Sequence, residues 1–162
     1  MERIAESVRR FVLEKVNAEL PALEDEEASL PAVDERSVAF GSVDLSRYEA
    51  PVVVSVMPER TEAEEGFIDG YADKTRVAVT FIFQKAAYPV LVKRAFRYAR
   101  AFRLAQWKSP ELSGGIDGSE AAYAEVFYDA GSGGQSVTAC EMGLDVRTRE
   151  AFDEGGKTAS GI

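Results

Sequence analysis

The 162-residue chain contains no histidine and a single cysteine, and these two scarcities exclude more chemistry than any motif in it suggests. Without imidazole there is no Ser-His-Asp or Cys-His nucleophile, no two-histidine metal site and no ordinary general base with a pKa near neutrality. Zinc and non-haem iron chemistry are disfavoured for the same reason. One thiol, Cys140, cannot close a disulfide within the chain, so the fold must rest on packing. Long apolar runs are also missing. None approaches the roughly 18 to 20 residues needed to cross a bilayer, and the charge-rich, amphipathic start of the chain is unlike a secretory signal. We therefore expect a protein made in the cytoplasm, with no membrane partner, no metal and no cofactor. Magnesium chemistry on carboxylates alone stays open as a third-ranked reading.

A local absence is equally informative. Between Asp73 and Glu111 there is no acidic residue, yet that stretch holds nine basic ones, so a protein of net charge −9 is a +9 segment within a −18 remainder. A domain with one basic face and an otherwise acidic surface is complementary to copies of itself, which points to assembly.

What is present reads as one domain over residues 1–152, followed by a glycine-rich tail over 153–162 that is flexible or ordered by a partner. Ile4, Val8, Phe11, Val12 and Val16 predict an N-terminal helix over 2–18 that ends at Pro21. Residues 19–36, with Glu24, Asp25, Glu26 and Glu27, read as an acidic surface loop. Val38–Phe40 is a short candidate strand, and Pro51 opens a β-branched strand over Val52–Met57. The stretch Pro58–Asp73 reads as a long acidic connection, and Lys74–Gln84 as a strand in clean alternation. From Ala86 the period changes to 3.6, predicting a helix through Trp107 with Pro89 in its first turn. Two further strands are expected over 121–129 and 137–148, the second placing Thr138, Cys140, Met142, Leu144 and Val146 on one face. The expected class is α+β, with an antiparallel sheet of about four strands and the N-terminal and central helices packed on one face.

Several groups invite a chemical reading. Gly131-Ser132-Gly133-Gly134 lacks the Lys-Ser/Thr pair of a phosphate loop and lies between strands, so it reads as a hairpin loop. Cys140, on an apolar face, reads as a buried structural thiol. Glu59, Glu62, Glu64 and Glu65 offer oxygen ligands for a divalent cation without EF-hand spacing; a solvated loop or a partner-binding loop competes with that reading. Lys93, Arg94, Arg97, Arg100 and Arg103 form a basic stripe on the central helix. Three readings compete for it: a solvated face, a nucleic-acid contact, and a surface for acidic protein groups. The acidic remainder of the chain would repel phosphate, and arginine in four of the five positions suits bidentate pairing with carboxylates. An acidic protein surface is the preferred functional reading, with the chain's own acidic loops the first candidates to supply it.

The segment Phe-Gly-Ser-Val-Asp-Leu-Ser-Arg-Tyr-Glu-Ala-Pro-Val-Val-Val-Ser-Val-Met, from Phe40 to Met57, resembles the tail terminator (tail completion) proteins of tailed phages and related prophage or gene-transfer particles. There an N-terminal helix leads to a short strand, an acidic turn, a proline and an apolar strand. The downstream order is similar over residues 2–149: an alternating strand, a central helix and a final hairpin. The resemblance implies a non-enzymatic virion subunit that closes into a hexameric ring at the head-proximal end of the tail tube. Its partners would be itself, the tail tube protein, the head-completion or stopper protein and, in a contractile tail, the sheath terminator region. DNA would pass through the ring unbound. By position, the Pro58–Asp73 connection would approach neighbours or the lumen, its carboxylates keeping DNA from adhering. Another neck component, such as a stopper or head–tail joining protein, is the alternative, and a nucleic-acid-binding module a more distant one.

Overall fold

The structure is a computed structural model that describes residues 1–67, 70–129, 136–152 and 158–159, with backbone alone for Glu65, Phe67 and the described residues from 151 onward. It is an α+β fold in which an N-terminal helical rod and a central helix cover one face of a single sheet. The N-terminal apolar positions form a helical rod: α1 (Glu2–Phe11), a π-helical segment Val12–Val16, and α2 (Asn17–Leu23). Val8, Phe11, Val12 and Val16 are all completely buried along it. The rod runs past the expected end, with Pro21 inside its last helical stretch. A proline near a helix end forfeits one hydrogen bond and breaks nothing downstream. The widened turn before it is stitched by Asn17, whose Nδ2 donates to Leu13 O at 3.0 Å and to Val33 O at 2.9 Å while its Oδ1 accepts from Val33 N at 2.8 Å.

Those bonds anchor the segment after α2. Expected as an acidic surface loop over 19–36, it is helical to Leu23 and then turns inward, burying Ala28, Leu30 and Val33. The acidic residues, Glu24, Asp25, Glu26 and Glu27 before these apolar anchors and Asp34 and Glu35 after them, are exposed, so composition alone reads the segment as wholly solvated.

The strands are β1 (Val38–Phe40), β2 (Val52–Phe67), β3 (Gly70–Phe83), β4 (Gly118–Asp129), β5 (Val137–Phe152) and β6 (Thr158–Ala159). Their order is β1-β2-β3-β5-β4, with β6 pairing with the end of β5. The β2–β3, β3–β5 and β4–β5 pairs are antiparallel as expected, while β1 adds a parallel edge beside β2, Val38 facing Val54. The parallel pairing follows from the 41–51 connection, which carries the chain back before β2 begins. Gln84 holds that return by donating from Nε2 to the carbonyls of Tyr48 and Ala50, each at 2.9 Å.

The main departure from expectation is in β2 and β3. Pro58–Asp73 is largely strand: the pair continues to Phe67 opposite Gly70 as a long arm, with register shifts between Pro58 and Arg60 and between Ala63 and Glu65. Such shifts accommodate an extra residue and increase local twist. The glutamates that suggested a loop are tolerated because cations stand across the ladder, Glu62 directly opposite Lys74. The glycine-rich loop 131–134 and most of the 153–162 tail lie outside the described residues.

Facing the sheet, α3 (Tyr88–Lys108) begins with Pro89 in its first turn and lays Leu91, Ala95, Tyr98, Phe102 and Ala105 on β3 and β5. Phe102 meets Phe11 edge-on at 5.4 Å and Phe81 at 6.0 Å, and Tyr98 meets Phe83 at 4.9 Å, so one aromatic cluster joins the rod and the central helix to the sheet. On the helix-free face, the Tyr123 ring lies across Gly143, where any Cβ would stand 2.2 Å from a ring carbon. Replacing Asn17 by alanine removes three hydrogen bonds from the junction of rod and loop. We expect a stability loss of about 1–3 kcal/mol, read from the urea midpoint, with the far-ultraviolet spectrum unchanged.

Candidate interaction surfaces

The five cations of the α3 stripe divide three ways, because a helix with one face in the core has two flanks and an outer side. Arg94 points inward at 7% exposure. Its Nε donates to Ser29 O at 2.9 Å and Nη2 to Ser29 Oγ at 3.0 Å, so a buried guanidinium holds the acidic segment by its backbone. On the same flank, Arg97 makes a two-pronged pair with Asp25 at 2.7 and 2.9 Å, and Lys93 reaches Glu27 at 2.8 Å. Tyr98 adds a hydrogen bond from its hydroxyl to Pro31 O. Three of the five cations thus face carboxylates or backbone of their own chain, and the clamp joins α3 to residues 24–31.

The electrostatic consequence is visible at Asp25. Hydrogen bonding from Arg97, then from the Glu27 amide, lowers its pKa from 3.8 to about 2. A carboxylate depressed in the folded state contributes stability that is present above its unfolded pKa and is lost as pH falls toward the folded value. Arg100 and Arg103 are different: both are exposed, and neither has an ion-pair partner among the described residues. With Phe96 and Trp107 they recur at spacings of four, three and four, within about 60° of arc on the outer side of α3. Trp107 is 78% exposed, and Phe96 packs edge-on against Tyr128 of β4 at 6.3 Å. This outer stripe, two aromatics flanking two guanidiniums without an ion-pair partner among the described residues, was missed when the helix was read by charge alone; the spacing of Phe96 and Trp107 was the available signal.

The second predicted group sits far from the first, on the helix-free side of the β2–β3 arm. Glu62 pairs with Arg60 at 3.0 Å and Glu64 with Arg147 at 3.6 Å, and Arg147 also reaches Glu120 at 3.5 Å. Glu59 lines a polar cleft of about 260 Å³ with Arg60, Glu62, Lys74, Arg76 and Asp145. Arg76 binds Asp145 through two nitrogens, at 2.6 and 3.3 Å, and stands 5.7 Å from the centre of the Tyr123 ring. Glu65 lies opposite Ala72 in the backbone register. Glu59, Glu62 and Glu64 therefore belong to a mixed-charge strand face in which cations are interleaved. The structure does not bring them to the α3 stripe.

Around Tyr123 the same face is tied together by hydrogen bonds. Its hydroxyl donates to Glu141 at 2.8 Å, and burial followed by that bond pushes its pKa up to about 12. Cys140 is completely buried, and loss of solvation pushes its thiol up to about 12 as well, consistent with a structural role. Among the described residues no group of three or more His, Cys, Asp or Glu is arranged to hold a metal ion, and no helix is long and apolar enough to cross a membrane. No protein-family model and no curated protein sequence matches the chain.

The clamp has a pH signature. Between about pH 4 and pH 2 the urea midpoint of the native chain should fall in part through Asp25; Asp25→Asn should be less stable near neutrality and lose that part of the decline. An identical pH profile for the two proteins would show that the Asp25–Arg97 pair does not contribute.

Proposed function

We propose that the chain is a structural, ring-forming subunit of a phage tail neck, of the tail terminator kind. The order of elements carries this reading. A buried N-terminal helical rod, a short edge strand, an acidic turn around Asp44, Pro51, the apolar strand Val52–Met57, an alternating strand, a central helix and a closing hairpin succeed one another as the resemblance implies. In this role the subunit closes into a hexamer on the head-proximal end of the tail tube, stops its polymerisation and offers a face to the head-completion protein. DNA passes through without being bound.

The charge distribution supports a scaffold held by contacts. Within the subunit, the basic helix first satisfies the 24–31 segment, and only Arg100 and Arg103 of the predicted stripe are left for a neighbour. The long β2–β3 pair, with β5 alongside it as far as Ala151, gives the subunit an extended sheet to offer to an adjoining copy or ring. Its interleaved charges present little net field to passing DNA, a different route to non-adhesion from the purely acidic loop expected.

Two measurements test the reading. Purified protein examined by sedimentation and by electron microscopy should show closed rings, and adding it to polymerising tail tubes should cap them at one end. Arg100→Glu with Arg103→Glu should change monomer stability by no more than about 0.5 kcal/mol, since both side chains are exposed and unpaired, yet weaken ring formation. Arg97→Glu should instead loosen the 24–31 segment and lower the melting temperature. A protein that stays a single subunit at all concentrations and leaves tubes uncapped would overturn the proposal, and a steep salt-dependent gel shift by such a monomer would favour nucleic-acid binding.

A further inference from the structure

The ring reading leaves open which surfaces meet, and on that reading we infer a head-to-tail contact in which the outer stripe of α3 lies on the helix-free face of β4 and β5 in the next copy, its two guanidiniums on Glu125 and Glu141. These two glutamates stand directly opposite each other in the β4–β5 ladder. Like charges so placed repel, which costs the isolated subunit stability. Neither carboxylate has an ion-pair partner among the described residues, since Arg76 and Arg147 of that face are engaged by Asp145 and by Glu64 and Glu120. Glu125 is exposed. Glu141 accepts one hydrogen bond on each oxygen, from Tyr123 at 2.8 Å and from Thr80 at 3.3 Å, and both oxygens keep lone pairs for a further donor.

The spacings agree as well as the signs. Arg100 and Arg103 are three residues apart on one helix, which sets their Cβ atoms roughly 5–6 Å apart. Directly opposed residues of an antiparallel pair have Cβ atoms about 4.5–5.5 Å apart. Two guanidiniums therefore meet two carboxylates at nearly the same separation, and both charge-assisted pairs can form together. One step along the ladder on the same face, Phe127 stands opposite Ala139, which stands opposite Ile82. Phe127 is 44% exposed, so an apolar strip lies beside the carboxylates to receive an aromatic ring of the stripe.

Within one subunit the two surfaces cannot meet. The stripe points away from the sheet on the side that α3 covers, and Glu125 and Glu141 lie on the other side of the same sheet. A copy can satisfy its stripe only on a neighbour. The contact is then heterologous, the type that closes into a ring when the rotation between copies allows. A tryptophan with adjacent arginines is also the composition in which binding energy concentrates at interfaces.

Trp107, the only tryptophan of the chain, ends the stripe and reports on its burial. Sedimentation first establishes whether the native protein assembles, and over the same dilution series the tryptophan emission should move to shorter wavelength as subunits associate. Glu125→Gln separates the two effects of the opposed pair: relieving the repulsion should raise the urea midpoint of the dilute subunit, while self-association weakens at least about fivefold. A charge exchange then identifies the surfaces. Arg100→Glu with Arg103→Glu reverses the stripe, and Glu125→Arg with Glu141→Gln reverses the face while leaving Tyr123 an acceptor. Each double variant alone should associate at least about tenfold more weakly than the native protein, and an equimolar mixture should recover assembly, because every reversed stripe then has a reversed face to meet. If the native protein assembles but its emission does not move, or Glu125→Gln associates as tightly as the native protein, or the mixture does no better than either variant alone, the assigned surfaces are wrong and the ring reading stands. A native protein that never assembles would overturn both.

Discussion

The packing of α3 across β3 and β5 is the constraint on which the other features of this protein depend. Phe102 and Tyr98 enter an aromatic cluster with Phe11, Phe81 and Phe83, and that cluster fixes the rotation of the helix about its own axis. Once rotation is fixed, every other α3 side chain has its direction. Arg94, Arg97 and Lys93 fall on the flank toward residues 24–31, while Phe96, Arg100, Arg103 and Trp107 fall outward. Rotating the helix by half a turn would turn Tyr98 and Phe102 outward and press Arg100 and Arg103 against the sheet without partners, at a cost of several kcal/mol each. Packing of neutral rings therefore determines the electrostatics of the surface.

The clamp in turn explains how an acidic segment stays ordered without regular structure. Apolar anchors at Ala28, Leu30 and Val33 follow the run of carboxylates at 24–27, and Asp25 and Glu27 of that run meet cations on α3. Exposed ion pairs contribute little individually. Here two of them act alongside the buried Arg94 bonds to Ser29 and the Asn17 bonds to Val33, and the segment is held at several points. Three of the five stripe cations are thereby used inside the subunit. The proposal of self-association rests on the smaller remainder and on the aromatic residues beside it.

How much was legible in sequence varied with the kind of signal. Periodicity located α3 and the cores of β3, β4 and β5, because burial on one face imposes a repeat on the residues that supply it. Val77, Val79, Phe81 and Phe83 face the helices as their alternation required, as do Cys140, Met142, Leu144 and Val146. The extension of β2 and β3 through Glu59–Glu65 was not legible, since a strand face stabilised by cross-strand ion pairs looks like a loop until its partner strand is known. Nor was the parallel placement of β1, which depends on where the 41–51 return lands. Of the candidate site residues, Arg100 and Arg103 proved exposed and without an ion-pair partner among the described residues; Arg94 and Arg97 had the same residue type and spacing but different neighbours.

The sequence by itself determined the helix and strand periods, the buried thiol, the exclusion of histidine chemistry and the concentration of positive charge between residues 74 and 110. These are properties of composition and local repeat, and they hold whatever the chain packs against. Only the tertiary structure decided which of those positive charges remain available. Availability depends on what stands within about 4 Å of each guanidinium, and that is set by residues such as Asp25, Ser29 and Glu27, more than sixty positions away in the chain.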